Sequence, residues 1–216
     1  LIEKTIQSVI VQELYNLNKI QYIIIDGGST DNTINIIKKY ENKIDYWVSE
    51  KDNGIYDAMN KGIDKSSGSG ILFLNAGDYF VGEVLNGIDK IPCFLPVKYK
   101  NILGRLTDVK IKNYKLGIPN CHQGIIFENK KIKYDLKYKI VSDYDYFLKH
   151  NYSDNLPIIK TTGYVYYDNE GFSKVNYRQR DKELEEIISK NFELIYFILF
   201  KIKSSIKMII KKVIKK

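Results

Sequence analysis

Two stretches constrain this chain more than anything else in it. Ile23–Asp31 reads I-I-I-D-G-G-S-T-D, and Ser49–Asp78 opens on S-E-K-D-N-G-I-Y and closes on I-L-F-L-N-A-G-D. In each, an apolar run passes straight into a polar turn that holds glycine and a carboxylate. Short apolar runs bounded by such turns read as buried strands. In an open α/β sheet, ligands bind at the carboxyl ends of the strands. Two such ends, each with an aspartate, are the start of a site for a phosphorylated, metal-bound ligand.

The rest of the pattern agrees with an α/β class. Ile2, Ile6, Val9, Ile10 and Leu14 recur at helical spacing, predicting an amphipathic helix over Glu3–Glu13. A strand over Tyr22–Ile25 follows, then a helix capped by Ser29 or Thr30, a short strand within Ile44–Ser49, a helix over Ile55–Lys65 and a central strand over Gly70–Leu74. That alternation predicts a mostly parallel sheet flanked by helices. Further on, strands are expected over Phe94–Gly104, Val109–Tyr114, Gly124–Phe127, Pro157–Thr161 and Gly163–Tyr167, with helices from Asp143 to Lys149 and over Asp181–Lys190.

The net charge of +8 is a local property. From Lys190 onward the chain holds eight Lys and one Glu, while the remainder is close to neutral, so nothing in the body suggests nucleic acid. Residues 1–189 read as one domain and 190–216 as a basic tail. In Phe192–Lys216, the stripe Ile195, Leu199, Ile202, Ile206, Ile209 and Val213 predicts an amphipathic helix, with Lys201, Lys211, Lys212, Lys215 and Lys216 on the other side. Such a helix either docks on the body or lies in an anionic membrane surface, and the lysine excess favours the membrane. No run of about 20 apolar residues is present to span a bilayer. Cys93 and Cys121 form no C-x-x-C pair, which fits a reducing compartment.

The residues able to carry chemistry each have a plainer alternative. Asp26, at a strand end, can accept from a base or ribose, or merely close its own turn. Asp78 can share a hard cation with a diphosphate, or sit in a simple N-A-G-D turn. Asp143 and Asp145 are two apart, so at most one faces a site; a carboxylate there can act as general base or lie on a solvated helix start. His122, beside Gln123, can bind acceptor, phosphate or metal, or be structural.

Together, I-I-I-D-G-G-S-T-D-N-T, S-E-K-D-N-G-I-Y-D-A-M-N-K-G, I-L-F-L-N-A-G-D, C-H-Q-G and S-D-Y-D-Y resemble the successive motifs of bacterial family-two glycosyltransferases, in particular the branch of capsule, exopolysaccharide and O-antigen clusters. The resemblance covers roughly residues 1–175. It implies a GT-A fold, a nucleotide-sugar donor of the UDP type, Mg²⁺ or Mn²⁺, and inversion by direct displacement onto a lipid-linked or oligosaccharide acceptor. It further implies a cytoplasmic protein, peripheral at the inner face of the cell membrane. By position, Asp26, Asp52, Asn53, Gly54, Asn60 and Asn75 fall on the nucleotide-sugar side, with Gly62 in the same segment. Asp78 falls on the metal, Asp143 on the base, and His122 and Gln123 on a donor or acceptor loop. The alternatives are a nucleotidyltransferase, or an inactive remnant that binds membrane or partner proteins.

The chain also departs from that pattern. Gly27 replaces a second aspartate, Asn75 and Gly77 replace carboxylates, and Ser142 replaces the usual Glu before the base. Relatives begin with a strand and a T-x-x-Y-N-like loop. The chain as given is therefore expected to lack that first strand, leaving Tyr22–Ile25 unpaired on one side, and to fold less well than a version with about ten more residues.

Overall fold

The computed structural model describes residues 1–17, 19–168 and 176–214, with side chains as far as residue 206. Its helices are α1 (Ile2–Ile10), α2 (Glu13–Asn16), α3 (Thr33–Lys39), α4 (Ile55–Lys65), α5 (Ser142–Lys149), α6 (Tyr177–Asn191) and α7 (Leu194–Ile214). Its strands are β1 (Ile23–Asp26), β2 (Tyr46–Ser49), β3 (Gly70–Ile71), β4 (Tyr79–Val81), β5 (Cys93–Phe94), β6 (Val97–Lys100), β7 (Leu106–Asp108), β8 (Ile125–Glu128) and β9 (Tyr164–Tyr166).

The strands form three small sheets, ordered β1-β2, β3-β8-β5 and β4-β9-β6-β7. β1 runs parallel to β2, with Asp26 level with Ser49, so the first two motif turns leave the sheet side by side. β6 and β9 are also parallel; the other paired strands are antiparallel. Sequence reasoning foresaw one mostly parallel sheet, and the second half of the chain departs from that because its strands return as hairpins and late additions. Pairing is shorter than the apolar runs predict. It stops at Ile71 in the central strand, falls at Leu106–Asp108 and so ends before the strand expected at Val109–Tyr114, and near Pro157 amounts to one bridge between Phe94 and Ile158. The expected helix at Glu3–Glu13 is broken after Ile10 and resumes at Glu13.

Four apolar clusters hold these pieces together. Ile6, Ile24 and Ile37 join α1, β1 and α3. Phe73, Phe127, Tyr134, Tyr146 and Phe147 pack α4 and α5 against β8. Tyr144, Ile187, Ile188 and Phe200 join α5, α6 and α7, so the packing runs on across Lys190. The fourth cluster, with Val84, Cys93, Leu95 and Val165, fills the space between the two larger sheets.

A second stripe on α1 matters more for the site than its apolar one. Thr5 and Ser8 share a face of α1, and Gln12, just past its end, continues the line. Thr5 Oγ1 donates to the Asp78 carbonyl at 2.8 Å and accepts from Gly77 N–H at 3.1 Å. Ser8 Oγ accepts from Phe80 N–H at 3.1 Å, and Gln12 Oε1 accepts from Val84 N–H at 2.9 Å. These groups are buried, so each bond satisfies a backbone group that would otherwise cost about 1–3 kcal/mol. The turn that carries Asp78 is thus fixed by a helix more than 70 residues earlier.

Candidate functional site

A cavity of about 960 Å³ opens between the β3 end, the 117–123 loop, the α5 N-terminus and α6–α7. That volume suits a ligand the size of a nucleotide sugar. Asn75, Asp78, His122, Gln123 and Asp143 line it, together with Asp168, Lys139 and Arg180. Asp26, Asp52, Asn53 and Asn60 do not line it, although Ile55 and Tyr56, which follow Gly54, do.

Asp78 is buried at the turn after Asn75-Ala76-Gly77, where Gly77 has φ +109°, a value that favours glycine. Its Oδ1 accepts from Asp168 N–H at 2.8 Å. Burial pushes its carboxyl up to about 6; the Asp168 charge adds to the rise, and hydrogen bonds from Asp168 N–H and the Gln123 side chain oppose it. Asp168 was not singled out from the sequence. Its signal was a carboxylate just past the Gly163–Tyr167 run, and only the β4–β9 pairing brings that strand end beside Asp78.

Asp143 occupies the first turn of α5, half-buried at the cavity wall, and its Oδ1 accepts from Tyr144 N–H at 2.8 Å. Burial raises its carboxyl to about 7, with a further push from the Glu183 charge, while hydrogen bonds from Tyr144 N–H and Tyr56 act the other way. Asp145 points elsewhere and pairs with Lys149 at 2.7 Å, as the two-residue spacing requires. Glu183, also unflagged by the sequence, is buried on α6 and accepts from the N–H groups of Lys139, Ile140 and Val141 at 3.0, 2.9 and 3.2 Å. It ties down the loop that leads into Asp143.

Gln123 is buried beside Asp78 and accepts from Cys121 Sγ at 2.7 Å. His122, expected on a donor or acceptor loop, lines the cavity and is held there by its neighbours. Its ring stacks on Phe73 at 5.1 Å, its Nε2 meets Tyr134 Oη at 2.5 Å, and burial lowers its pKa to about 3. The neutral ring belongs to the aromatic floor of the cavity.

The residues expected on the nucleotide side include a second cluster at the ends of β1 and β2. Asp26 is buried and accepts from Gly28 N–H, Ser29 N–H, Ser29 Oγ and Ser49 Oγ at 2.5–3.0 Å. Burial alone would raise its carboxyl, but these bonds hold it below the usual value. Oδ2 takes three of these bonds and Oδ1 one, so the carboxylate holds the Gly27–Ser29 turn. Ser29 therefore serves Asp26 and does not cap α3, whose N-cap is Asn32. Asp52 accepts from Gly54 N–H at 2.9 Å, and its Oδ2 lies only 2.3 Å from where a Cβ on Gly27 would be. The glycine in place of a second aspartate makes room for this carboxylate. Asn53 bonds Asp57 at the start of α4. Asn60, expected on the nucleotide side, bonds a loop of the protein itself. Its Oδ1 accepts from Tyr134 N–H at 2.8 Å and its Nδ2 donates to the Tyr134 carbonyl at 3.1 Å, so its amide clamps another loop.

The donor set around Asp78 accommodates a hard divalent cation. Asp78 and Asp168 offer carboxylate oxygens at one wall, and such ions take their remaining ligands from phosphates and water. Among the described residues no group of three or more His, Cys, Asp or Glu gathers to hold a metal by itself.

The tail helix α7 docks by a face other than the expected stripe. Tyr196, Phe197 and Phe200 pack on the body, and Lys201 pairs with Glu185 at 2.7 Å. The stripe is left outside, with Ile195, Leu199, Ile202 and Ile206 all exposed. Ile209, Val213, Lys211 and Lys212 lie beyond the described side chains, and Lys215 and Lys216 outside the described residues. No described helix is long and apolar enough to cross a membrane.

Comparison with known proteins gives this architecture a class. The fold is GT-A: S. aureus TarS 1–349 superimposes with a TM-score of 0.64 at 19% identity, covering 88% of this chain and 60% of TarS. The same protein in complex with UDP-GlcNAc gives 0.61 at 18% identity, covering 88% and 62%. In sequence, residues 1–91 match the family described as Glycosyl transferase family 2. An uncharacterized glycosyltransferase of Mycobacterium tuberculosis (strain ATCC 25618 / H37Rv) is 41% identical over 81 residues, which is 38% of this chain and 30% of that protein. A PGL/p-HBAD biosynthesis glycosyltransferase of Mycobacterium bovis (strain BCG / Pasteur 1173P2) is 26% identical over 147 residues, 58% of this chain and 56% of the relative. The matched part of the chain thus spans 30% of the length of the first of these relatives and 56% of the second.

Proposed function

We propose that this chain is a glycosyltransferase that moves a sugar from a nucleotide diphosphate donor to an acceptor hydroxyl, with inversion by direct displacement. The observation that carries the reading is that Asp78 and Asp143, two carboxylates on the walls of one cavity, have surroundings that differ. The family match over residues 1–91, the TarS fold with its UDP-GlcNAc complex, and the mycobacterial glycosyltransferases support it.

Asp143 is the general base. A carboxylate whose pKa lies near 7 combines an ionised fraction at neutral pH with real affinity for a proton. It takes the acceptor proton as the acceptor oxygen bonds the anomeric carbon and the bond to the donor diphosphate breaks. Asp78, with Asp168, would hold Mg²⁺ or Mn²⁺, which when bound supplies Lewis-acid stabilisation of the leaving diphosphate. Gln123 orients Asp78 from within the wall, and Glu183 sets the position and proton affinity of Asp143. Asp26 shapes the Gly27–Ser29 turn and Asp52 packs on it, so this cluster meets the nucleoside through backbone and the Asp52 carboxylate. The exposed aliphatic stripe of α7, with its lysines, fits a protein that rests on the cytoplasmic face of an anionic membrane and draws on a lipid-linked glycan of the cell envelope.

The test is donor hydrolysis with Mn²⁺ across a panel of nucleotide sugars, alongside saturation-transfer NMR for binding. Hydrolysis of one donor, lost in Asp78→Ala and Asp143→Asn, is the expected result. Binding without turnover for every donor, with or without acceptor lipid, would overturn the enzyme reading in favour of a remnant.

A further inference from the structure

The β6–β7 hairpin ends in a feature that the folded chain leaves unexplained. Ile102 is 98% exposed and Leu103 70%, side by side at the tip. The turn is tightly built: Asn101 N–H donates to the Arg105 carbonyl at 2.9 Å, and Asn101 Oδ1 accepts from Leu103 and Arg105 N–H, each at 3.0 Å. A backbone so fixed holds its aliphatic pair outward. Between Val97 and Lys112 the chain has five basic residues and one acid. The acid, Asp108, pairs with Lys98 at 3.6 Å, while Lys100 and Arg105 form no ion pair among the described residues. The base of this hairpin and α7 border the same cavity, through Tyr99 and Thr107 on one side and Phe200 and Lys203 on the other.

We infer that the hairpin tip is a second membrane anchor, which inserts Ile102 and Leu103 into an anionic bilayer while Lys100 and Arg105 meet the headgroups. Two aliphatic side chains gain by leaving water, and each basic residue near an anionic surface adds attraction that falls with salt. With α7 as the other support, the bilayer lies across the cavity mouth, where a lipid-borne acceptor would enter. The inference extends the proposed seat of α7 on the membrane, and its test separates the two.

The experiment is flotation of the full chain with phosphatidylcholine vesicles, with and without phosphatidylglycerol, for three variants: Ile102→Ser with Leu103→Ser, Lys100→Glu with Arg105→Glu, and Ile198→Ser with Ile202→Ser. The exposed tip positions leave the fold intact, checked by circular dichroism. The tip variant is expected to bind anionic vesicles about tenfold more weakly or worse. Charge reversal is expected to cost at least about fivefold, on anionic vesicles only. In Ile102→Trp, tryptophan emission shifts to the blue when anionic vesicles are added. Unchanged binding of the tip variant, with loss only in the α7 variant, overturns the hairpin anchor and leaves the α7 reading standing. Unchanged binding in all three overturns both. A change in self-association of the tip variant without vesicles also overturns the anchor, in favour of contact with a second copy.

Discussion

Asp143→Asn separates what a residue does for the fold from what it does for the reaction. The carboxyl of Asp143 is raised from 3.8 to about 7, burial being the main cause. A raised carboxyl means that the folded state holds its proton more tightly than the unfolded chain. Stability contributed by this group is therefore intact at low pH and falls as pH climbs from about 4 through about 7, after which the penalty is constant. At about 1.36 kcal/mol per pH unit, a rise of some three units corresponds to roughly 4 kcal/mol, and cavity water reduces that to about 2. Asparagine is isosteric and uncharged, and its Oδ1 can keep the bond from Tyr144 N–H. The variant should therefore be more stable than the parent at pH 8 by about 2 kcal/mol, and the gap should shrink by at least about 1 kcal/mol at pH 5. Urea unfolding of both proteins at the two pH values measures it, and the shared titration of Asp78 cancels in the difference. Turnover should be absent from the variant throughout. A stability gap that does not change with pH would refute the claim that a charge is held there at a cost.

Three other substitutions probe the groups around that carboxylate. The parent enzyme should gain activity as pH rises through about 7, and Glu183→Gln, which removes a charge that raises Asp143, should move this limb to lower pH; a limb that stays put while the fold survives would deny the coupling. The same variant should lose about 1–3 kcal/mol of stability by thermal unfolding, because a neutral amide replaces a carboxylate that accepts from three backbone N–H groups. Asn60→Ala should cost about 1–3 kcal/mol through the freed Tyr134 backbone and leave donor KM unaltered; a raised KM at unchanged stability would return Asn60 to the nucleotide site. Gly27→Ala should push the Asp52 carboxylate aside and weaken donor binding by calorimetry, with stability changed by under about 1 kcal/mol, since the displaced atom ends a flexible side chain.

The sequence made some of this legible and hid the rest for identifiable reasons. Helix α4 is where the periodicity puts it, residue for residue, because Gly54 and Ser66 bound an uninterrupted apolar pattern. That Asp78 and Asp143 lie at element ends was readable, because each marks the start or stop of a periodic run, and both line the cavity. The bonds of His122 and Asn60 to Tyr134 were not legible, because a polar residue in a motif looks the same whether its partner is a ligand or a distant segment of the chain. Asp168 and Glu183 escaped because each is defined by a partner far along the chain: the β4–β9 register for one, and three backbone N–H groups more than 40 residues earlier for the other. The face on which α7 docks was hidden for a related reason. Its aliphatic stripe is the stronger periodic signal, but the aromatic face is the one with neighbours, Ile187 and Ile188 of α6.

These long-range anchors explain how two site carboxylates come to be held by parts of the chain with no chemistry of their own. Thr5 and Ser8 of α1 fix the turn of Asp78, and Glu183 of α6 fixes the loop before Asp143. In both cases a side chain on a helix satisfies backbone groups in an irregular segment, which neither helix nor sheet could otherwise pair. The two arrangements differ in one respect that bears on function. α1 supplies the neutral hydroxyls of Thr5 and Ser8, which bond backbone groups of the Asp78 turn, leaving Asp168 and Gln123 to tune the carboxylate. Glu183 carries a charge, so the group that places Asp143 also raises its proton affinity. A carboxylate that is to meet a cation needs position and a second carboxylate; one that is to accept a proton needs position and a nearby negative charge that it does not share a ligand with. The chain provides one of each, and that difference, more than any single motif, supports the separate roles proposed for Asp78 and Asp143.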